Sequence, residues 1–139
     1  MSSVLAIDYG LKRIGLAVSD EERKFAFPHS VIENNNFESV ANFILDIICE
    51  KNVGLIIVGM PFNMNGSKGK MAREVEGFIK KLSLKVNINI QVIDERLSSF
   101  LAEENLKESG LSLKKSKEIV DKEAARLLLV DFLSESKKN

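Results

Sequence analysis

Four apolar residues, Val4 to Ile7, run without interruption into Asp8, and Gly10 follows as a turn former. Beyond it Ile14, Leu16 and Val18 alternate with Gly15, Ala17 and Ser19, a pattern that predicts strand, short turn, strand. The continuous run suits a strand buried on both faces and central in its sheet, and the alternating one a strand covered on one face. An acid at the end of a central strand is costly, because a buried carboxylate must be paired or bind a metal, and Asp is a poor strand former. Asp8 is either a turn cap or a working carboxylate, and this segment alone supports both.

Further on, Lys24 to Ile32 reads as a third strand, with Pro28 favouring an edge position. His29, the only histidine, lies beside that proline and reads as a turn residue rather than a catalytic base. Asn34 to Asn36 form a loop ending in an N-cap, with Glu38 in the first turn that follows. Phe37, Val40, Ala41, Ile44, Ile47 and Ile48 recur at helical spacing to about Lys51. Gly54 to Gly59 is a second continuous apolar run, a buried strand that the intervening helix makes parallel to the first.

Met60 to Arg73 is a loop feeding a helix over about Ser67 to Leu84, with Ala72, Val75, Ile79 and Leu82 as its apolar stripe. Ile88 to Ile93 reads as a fifth strand ending in Asp94, Glu95 and Arg96. Ser98 or Ser99 can cap a helix through Ser109, stopped by Gly110. Leu111 to Lys117 reads as a basic loop carrying Lys114, Lys115 and Lys117, before a last helix from near Glu118 to near Ser134. The order predicts an α/β sandwich on a mixed sheet, antiparallel in the hairpin and parallel across the helical crossovers.

At 139 residues, 45% hydrophobic and 29% charged, the chain fits one compact domain over residues 1–139. Such a domain buries roughly 68 to 70% of its unfolded surface and needs no staples. Basic and acidic residues number 20 each, so no global positive field advertises nucleic acid, and a polyanion must be held by a local patch or through metal ions. The single Cys49 excludes an internal disulfide and suits a reducing compartment; its apolar surroundings predict a core position. No stretch has signal-peptide or membrane-spanning character. These features predict a cytoplasmic protein with no membrane partner.

In an open α/β sheet, sites form beyond the carboxyl ends of the parallel strands. Asp8 ends the first strand and Asp94 with Glu95 ends the fifth, so both reach that edge. Asp121 is in helical phase with Ala124, Ala125, Leu128 and Phe132, an otherwise apolar face, and the paired alanines allow a close approach to the sheet. Glu118, Lys122, Glu123 and Lys137 read as surface charge. Three carboxylates with no His or Cys cluster point to hard divalent cations, Mg²⁺ or Mn²⁺, which take oxygen ligands and accept substrate phosphate. Such sites hydrolyse phosphodiesters. Lys12, Arg13, Lys68, Lys70, Arg73, Arg96 and the late lysines could steer the polyanion, and each is also an ordinary surface charge.

Four segments, Asp8 to Ala17 (DYGLKRIGLA), Gly59 to Gly69 (GMPFNMNGSKG), Asp94 to Ser99 (DERLSS) and Asp121 to Ala125 (DKEAA), together resemble the YqgF family. Its members are described as pre-16S rRNA nucleases or Holliday junction resolvases. The resemblance covers essentially the whole chain and implies a ribonuclease H-like fold with a five-stranded mixed sheet flanked by helices. It implies Asp8, one acid of the Asp94–Glu95 pair, and Asp121 as catalytic, metal-binding carboxylates. Strand alternation favours Glu95, with Asp94 left to orient Arg96. The glycine-rich loop with Lys68 would line the substrate entrance, and Arg13 and Arg96 would either clamp phosphate or orient the metal ligands.

One departure stands out. In the broader resolvase superfamily the second acid ends the strand after the first helix, where this chain has Gly59, Met60 and Pro61; its second acid lies on the next strand. The leading expectation is a metal-dependent nuclease that processes the 5′ end of pre-16S rRNA, with structured RNA and pre-ribosomal particles as partners. A DNA junction resolvase is the close alternative and would need a two-fold dimer to cut symmetrically; the sequence leaves the oligomeric state open. A weakly catalytic nucleic-acid-binding assembly module comes third. A nucleotide-binding ATPase or sugar kinase comes last, since those need a second lobe.

Overall fold

The computed structural model of the chain describes residues 1–63, 65–94 and 113–138, with 113–122 and 137–138 as backbone. The first apolar run forms β1 (Ser3–Tyr9), paired antiparallel with β2 (Arg13–Ser19). β3 (Ala26–Glu33) adds antiparallel to β2 and forms one edge of the sheet. Helix α1 (Phe37–Glu50) returns the chain so that β4 (Val53–Met60) pairs parallel to β1. Helix α2 (Lys70–Ser83) repeats the crossover to β5 (Asn89–Asp94), parallel to β4. The strand order is β3-β2-β1-β4-β5, with β1 in the middle as its apolar run requires. The last helix, α3 (Leu113–Lys138), packs across β1, β2 and β3.

Strand alternation sends neighbouring residues of β1 into different layers. Leu5 and Ile7 join Leu16, Ile56 and Val58 in a cluster closed by Val40, Ile44 and Ile47 of α1 and Val75, Phe78 and Leu82 of α2. Val4 and Ala6 join Ala17 and Ile57 in a second cluster, closed by Ala125, Leu128, Leu129 and Leu133 of α3. Both crossover helices therefore lie on one face and α3 on the other, the arrangement that two successive crossovers of one hand produce.

Several boundaries follow local chemistry. Asn36 caps α1 by accepting the Ser39 N–H at 2.9 Å, a bond typically worth about 1 kcal/mol. Helix α2 begins at Lys70 rather than near Ser67. The preceding residues bond among themselves instead: Asn63 N–H donates to the Ser67 carbonyl at 2.9 Å, Gly66 takes φ 85°, and Ser67 N–H donates to Asn65 Oδ1 at 3.0 Å.

Four expectations are corrected. His29 lies within β3 rather than in a turn, at a bulge where Leu16 faces Ser30 and Ala17 faces Pro28. Cys49 is exposed, not core, because it lies two residues beyond Ile47, about 200° around the helix from that buried position. Helix α3 begins at Leu113, so Lys114, Lys115 and Lys117 are helical rather than part of a loop, and it continues to Lys138. Glu123 is held by Arg126 and only a third exposed, not a solvated charge. The helix expected from Ser98 to Ser109 lies outside the described residues.

Candidate active site

Alternation along β1 puts Asp8 on the α3 face, with Val4 and Ala6, and turns Tyr9 toward α1 and α2. Asp8 is half-buried at the carboxyl end of the central strand. Its β2 partner in register is Gly15. On the other side Ile7 pairs with Val58, so the next residue of β4 is Gly59. Both glycines are buried. Neither neighbouring strand puts a side chain beside the Asp8 carboxylate in its own row of the sheet.

The turn that presents Asp8 is specified by close packing. A Cβ on Gly10 would run into the Arg13 carbonyl oxygen, which is why the second residue after Asp8 must be glycine. Asn34 then ties the turn down, donating its side-chain N–H to the Gly10 carbonyl and its backbone N–H to the Lys12 carbonyl, both at 2.9 Å. Arg13 opens β2 two residues from Gly15, and alternation puts it on the face of Gly15, Ala17 and Asp8.

On β5, Ile93 packs with the α3-side cluster. Asp94, opposite Met60 at the strand end, is exposed and belongs by alternation to the α1/α2 side. Of the acidic pair, Asp94 is thus on the wrong face to join Asp8. Glu95 and Arg96 lie outside the described residues. The Asp121 backbone lies within α3, one turn before the buried Ala125 and in phase with Ala124 and Leu128, about 6 Å along the helix axis from Ala125. Its side chain is outside the described residues.

Lys68, expected at the substrate entrance, is exposed and pairs with Glu76 of α2 at 3.2 Å. Asp8 and Arg13 are therefore brought to one face, Lys68 stands in the loop before α2, and the other three predicted residues are untested by side-chain geometry. Among the described residues no group of three or more His, Cys, Asp or Glu could hold a metal ion, and of the three predicted ligands only Asp8 has a described side chain. What is described fits a hard cation: a carboxylate oxygen at a strand end, flanked by glycines rather than by bulk. The sequence reading missed Gly15 and Gly59 as site residues; the signal was the hairpin register, which pairs the second glycine of the motif with Asp8.

Titration behaviour elsewhere on the molecule is structural. On α3, Arg126 donates to both Glu123 carboxylate oxygens, at 2.9 and 2.7 Å. The guanidinium holds the Glu123 carboxyl below its ordinary value and is itself pushed up. His29 is lowered by burial, with Lys51 adding to the effect. It shares a cleft with Ser19, Asp20 and Glu50 at the opposite end of the sheet from Asp8.

Comparison with known proteins agrees with this geometry. The RuvX family, described as Holliday junction resolvase, matches residues 2–135. A protein of Maridesulfovibrio salexigens named "Putative pre-16S rRNA nuclease" is 40% identical over 131 residues, covering 94% of this chain and 97% of its own. One of the same name from Endomicrobium trichonymphae is 40% identical over 134 residues, covering 96% of each. Among solved structures, T. thermophilus RuvC in complex with a Holliday junction substrate superposes with a TM-score of 0.60 at 14% identity, over 97% of this chain and 96% of that one. The yeast mitochondrial Holliday junction resolvase Ydc2 gives 0.52 at 13% identity, over 99% of this chain and 81% of that one. At such identities these two likenesses establish the fold, the ribonuclease H-like architecture of resolvases. The chain belongs to the RuvX, or YqgF, family of nucleases, hydrolases acting on phosphodiester bonds.

Proposed function

We propose that this protein is a divalent-metal-dependent nuclease of structured RNA that acts in the cytoplasm on the 5′ end of pre-16S rRNA, alone or on pre-ribosomal particles. The observation that carries the reading is Asp8 at the carboxyl end of the central strand, on the α3 face, between two glycines. The curated relatives, 40% identical over nearly the whole chain, supply the RNA substrate.

Asp8, Glu95 and Asp121 would hold Mg²⁺ or Mn²⁺, whose bound form supplies an activated water and takes up charge on the phosphoryl oxygens. The chain's own contribution is placement. Asp8 enters on a rigid strand, its position set by the Gly10 turn and the Asn34 clasp. Gly15 and Gly59 put no side chain beside it in the sheet. Arg13, on the same face, would offset backbone charge or orient a ligand carboxylate, contacts that position a nucleic acid without reading its bases. Glu95 is preferred over Asp94 because Asp94 falls on the opposite side of the sheet. Lys68 would have to leave Glu76 to reach phosphate, an exchange of one weak surface pair for another. Arg96 is assigned the second clamp.

Cleavage of end-labelled precursor rRNA and of a four-way DNA junction, side by side with Mg²⁺, Mn²⁺ or chelator, tests this reading. The expected result is metal-dependent cutting of the RNA that disappears in Asp8→Asn. Preferential cutting of the junction by a two-fold dimer would move the substrate to DNA, the reading the family description favours. No cutting of either, with equal binding by both proteins, would make the chain an assembly module and overturn the nuclease reading.

A further inference from the structure

On the far side of β1 from Asp8 lies a cleft of about 450 Å³ between the start of α1 and the exposed face of α2. Its chemistry is mixed in a particular way. Tyr9 and Phe78 pack as a tilted pair with ring centroids 4.7 Å apart, and Phe37 meets Phe78 edge-on at 6.2 Å. Two cations of α2 line the cleft: Lys81, whose ammonium lies 5.8 Å from the Phe37 centroid, and Arg73, two turns earlier on the same helix. Glu74 is the only acid of the lining, leaving the cations in excess. At the mouth, Leu11 of the hairpin turn is 58% exposed, an apolar lip in front of an aromatic floor.

At one position between its two cations, the helix surface that faces this space carries no side chain. Gly77 lies midway between Arg73 and Lys81, one turn from each, and a Cβ added there would meet nothing within 4 Å. Glycine inside a helix costs about 1 kcal/mol relative to alanine, so a position with room for any side chain carries the least stabilising ordinary one. Neither the turn geometry of Gly10 nor the close packing seen at Gly54 explains it. An open cleft does.

Aromatic surface and cations match an unpaired nucleotide, and Asn34, Asn35 and Asn36 form a polar rim whose side chains already bond to Gly10, Glu33 and Ser39. Bases stack on rings and guanidinium planes without regard to sequence, and cations follow the phosphates. Asp8 and Tyr9 are consecutive, their Cα atoms about 3.8 Å apart, and their side chains enter opposite faces at one edge of the sheet. A strand with its cleavable phosphate at Asp8 has only to cross that edge to put a neighbouring nucleotide in the cleft.

We infer that this cleft is a second substrate-binding site, which seats an unpaired nucleotide of the RNA strand flanking the phosphodiester held at Asp8. The inference rests on the nuclease reading for its substrate, and binding can be measured apart from cleavage. A base must leave its pair to stack on these rings, so the site selects ends and single-stranded junctions over continuous helix.

The test is fluorescence anisotropy in chelator, using an RNA hairpin with a single-stranded 5′ extension beside the same hairpin with a blunt end. Gly77→Leu fills the cleft from a site where the added carbon touches nothing, and should keep or raise the melting temperature. It and Arg73→Ala should each weaken binding of the extended hairpin by about tenfold, within the range for losing one stacked base. Blunt-hairpin binding should not change. Lys24→Ala, an equal charge change at the far end of the sheet, should leave both affinities as they are. Asp8→Asn should abolish cutting and keep extended-hairpin affinity, so its outcome reports on the nuclease reading alone. If wild type does not prefer the extended hairpin, or if Gly77→Leu and Arg73→Ala bind it as wild type does, the cleft holds no nucleotide of the substrate and the inference is overturned.

Discussion

The two faces of the sheet are built from different sizes of residue. Toward α1 and α2, Leu5, Ile7, Leu16, Ile56, Val58 and Phe78 interdigitate along the whole strand length, from one edge to the other. Toward α3, the apolar side chains of the three inner strands give out near the carboxyl edge of the sheet. The rows run Val4, Ala6, then the carboxylate of Asp8 on β1, and Ile57, then Gly59 on β4; on β2, which runs the other way, Ala17 and Gly15 precede Arg13, while β5 keeps Ile93 on this face. The first face spends its volume on stability. The second gives up bulk near Asp8 and receives a helix whose contacting turn is Ala124 and Ala125. In its own row of the sheet Asp8 has glycine on both sides, so neither neighbouring strand puts an apolar side chain against the carboxylate.

The largest effect should come from the corner itself. Asp8→Asn removes a predicted metal ligand that supplies several kcal/mol of transition-state charge stabilisation, so turnover should fall by roughly 10²-fold or more. Because the partner groups remain, the melting temperature should hold or rise; a fall of many degrees would make Asp8 a structural turn cap instead. On the opposite face, Leu5→Ala should cost about 2 to 5 kcal/mol in urea unfolding, with turnover of the folded fraction retained. If Leu5→Ala proved as mild as a surface change, the two faces would not differ as their residue sizes indicate.

Ala125→Leu approaches the same contrast from the small side. Overpacking there should cost about 1 to 3 kcal/mol and, with Asp121 and Asp8 sharing a metal as proposed, should also lower cleavage, since pushing α3 off the sheet displaces the turn that carries Asp121. Loss of stability with full activity would separate α3 from the site. The smallest effect belongs to Glu123 and Arg126. Glu123 is held below its ordinary value in the folded protein by Arg126, so the stability it adds is present above the unfolded carboxylate range and is lost as pH falls through the folded one. Glu123→Gln should cost less than about 1 kcal/mol at neutral pH for a pair this exposed. It should also flatten the acid limb of stability measured between pH 7 and pH 3.

Strand and crossover order were legible because period and punctuation agree along the first 94 residues. The apolar run of Val4–Ile7, the apolar run between Gly54 and Gly59 and the Asn36 cap each have one structural reading, and the structure has it, with β4 extending one residue past each glycine. Cys49 misled because apolar neighbours are not the same as apolar phase: one residue type next to Ile47 and Ile48 says nothing about angle. His29 misled because a proline beside it reads as a turn, while a bulge absorbs the same irregularity inside an edge strand. The lysines at 114, 115 and 117 read as a loop because clustered charge without an apolar phase gives no helical signal, although the backbone there is already helical.

For the site, the sequence by itself determined its chemistry: hard oxygen donors, no sulfur or imidazole cluster, an acid at the end of a continuous apolar run. Residue type sets those properties wherever the chain goes. Only the tertiary structure decided which groups share a corner. It put Gly15 and Gly59 on either side of Asp8, sent Asp94 to the other face, and opened a cleft behind Tyr9. Those outcomes depend on register between strands distant in sequence and on which face each helix covers, and a shift of one residue in pairing would reverse them all.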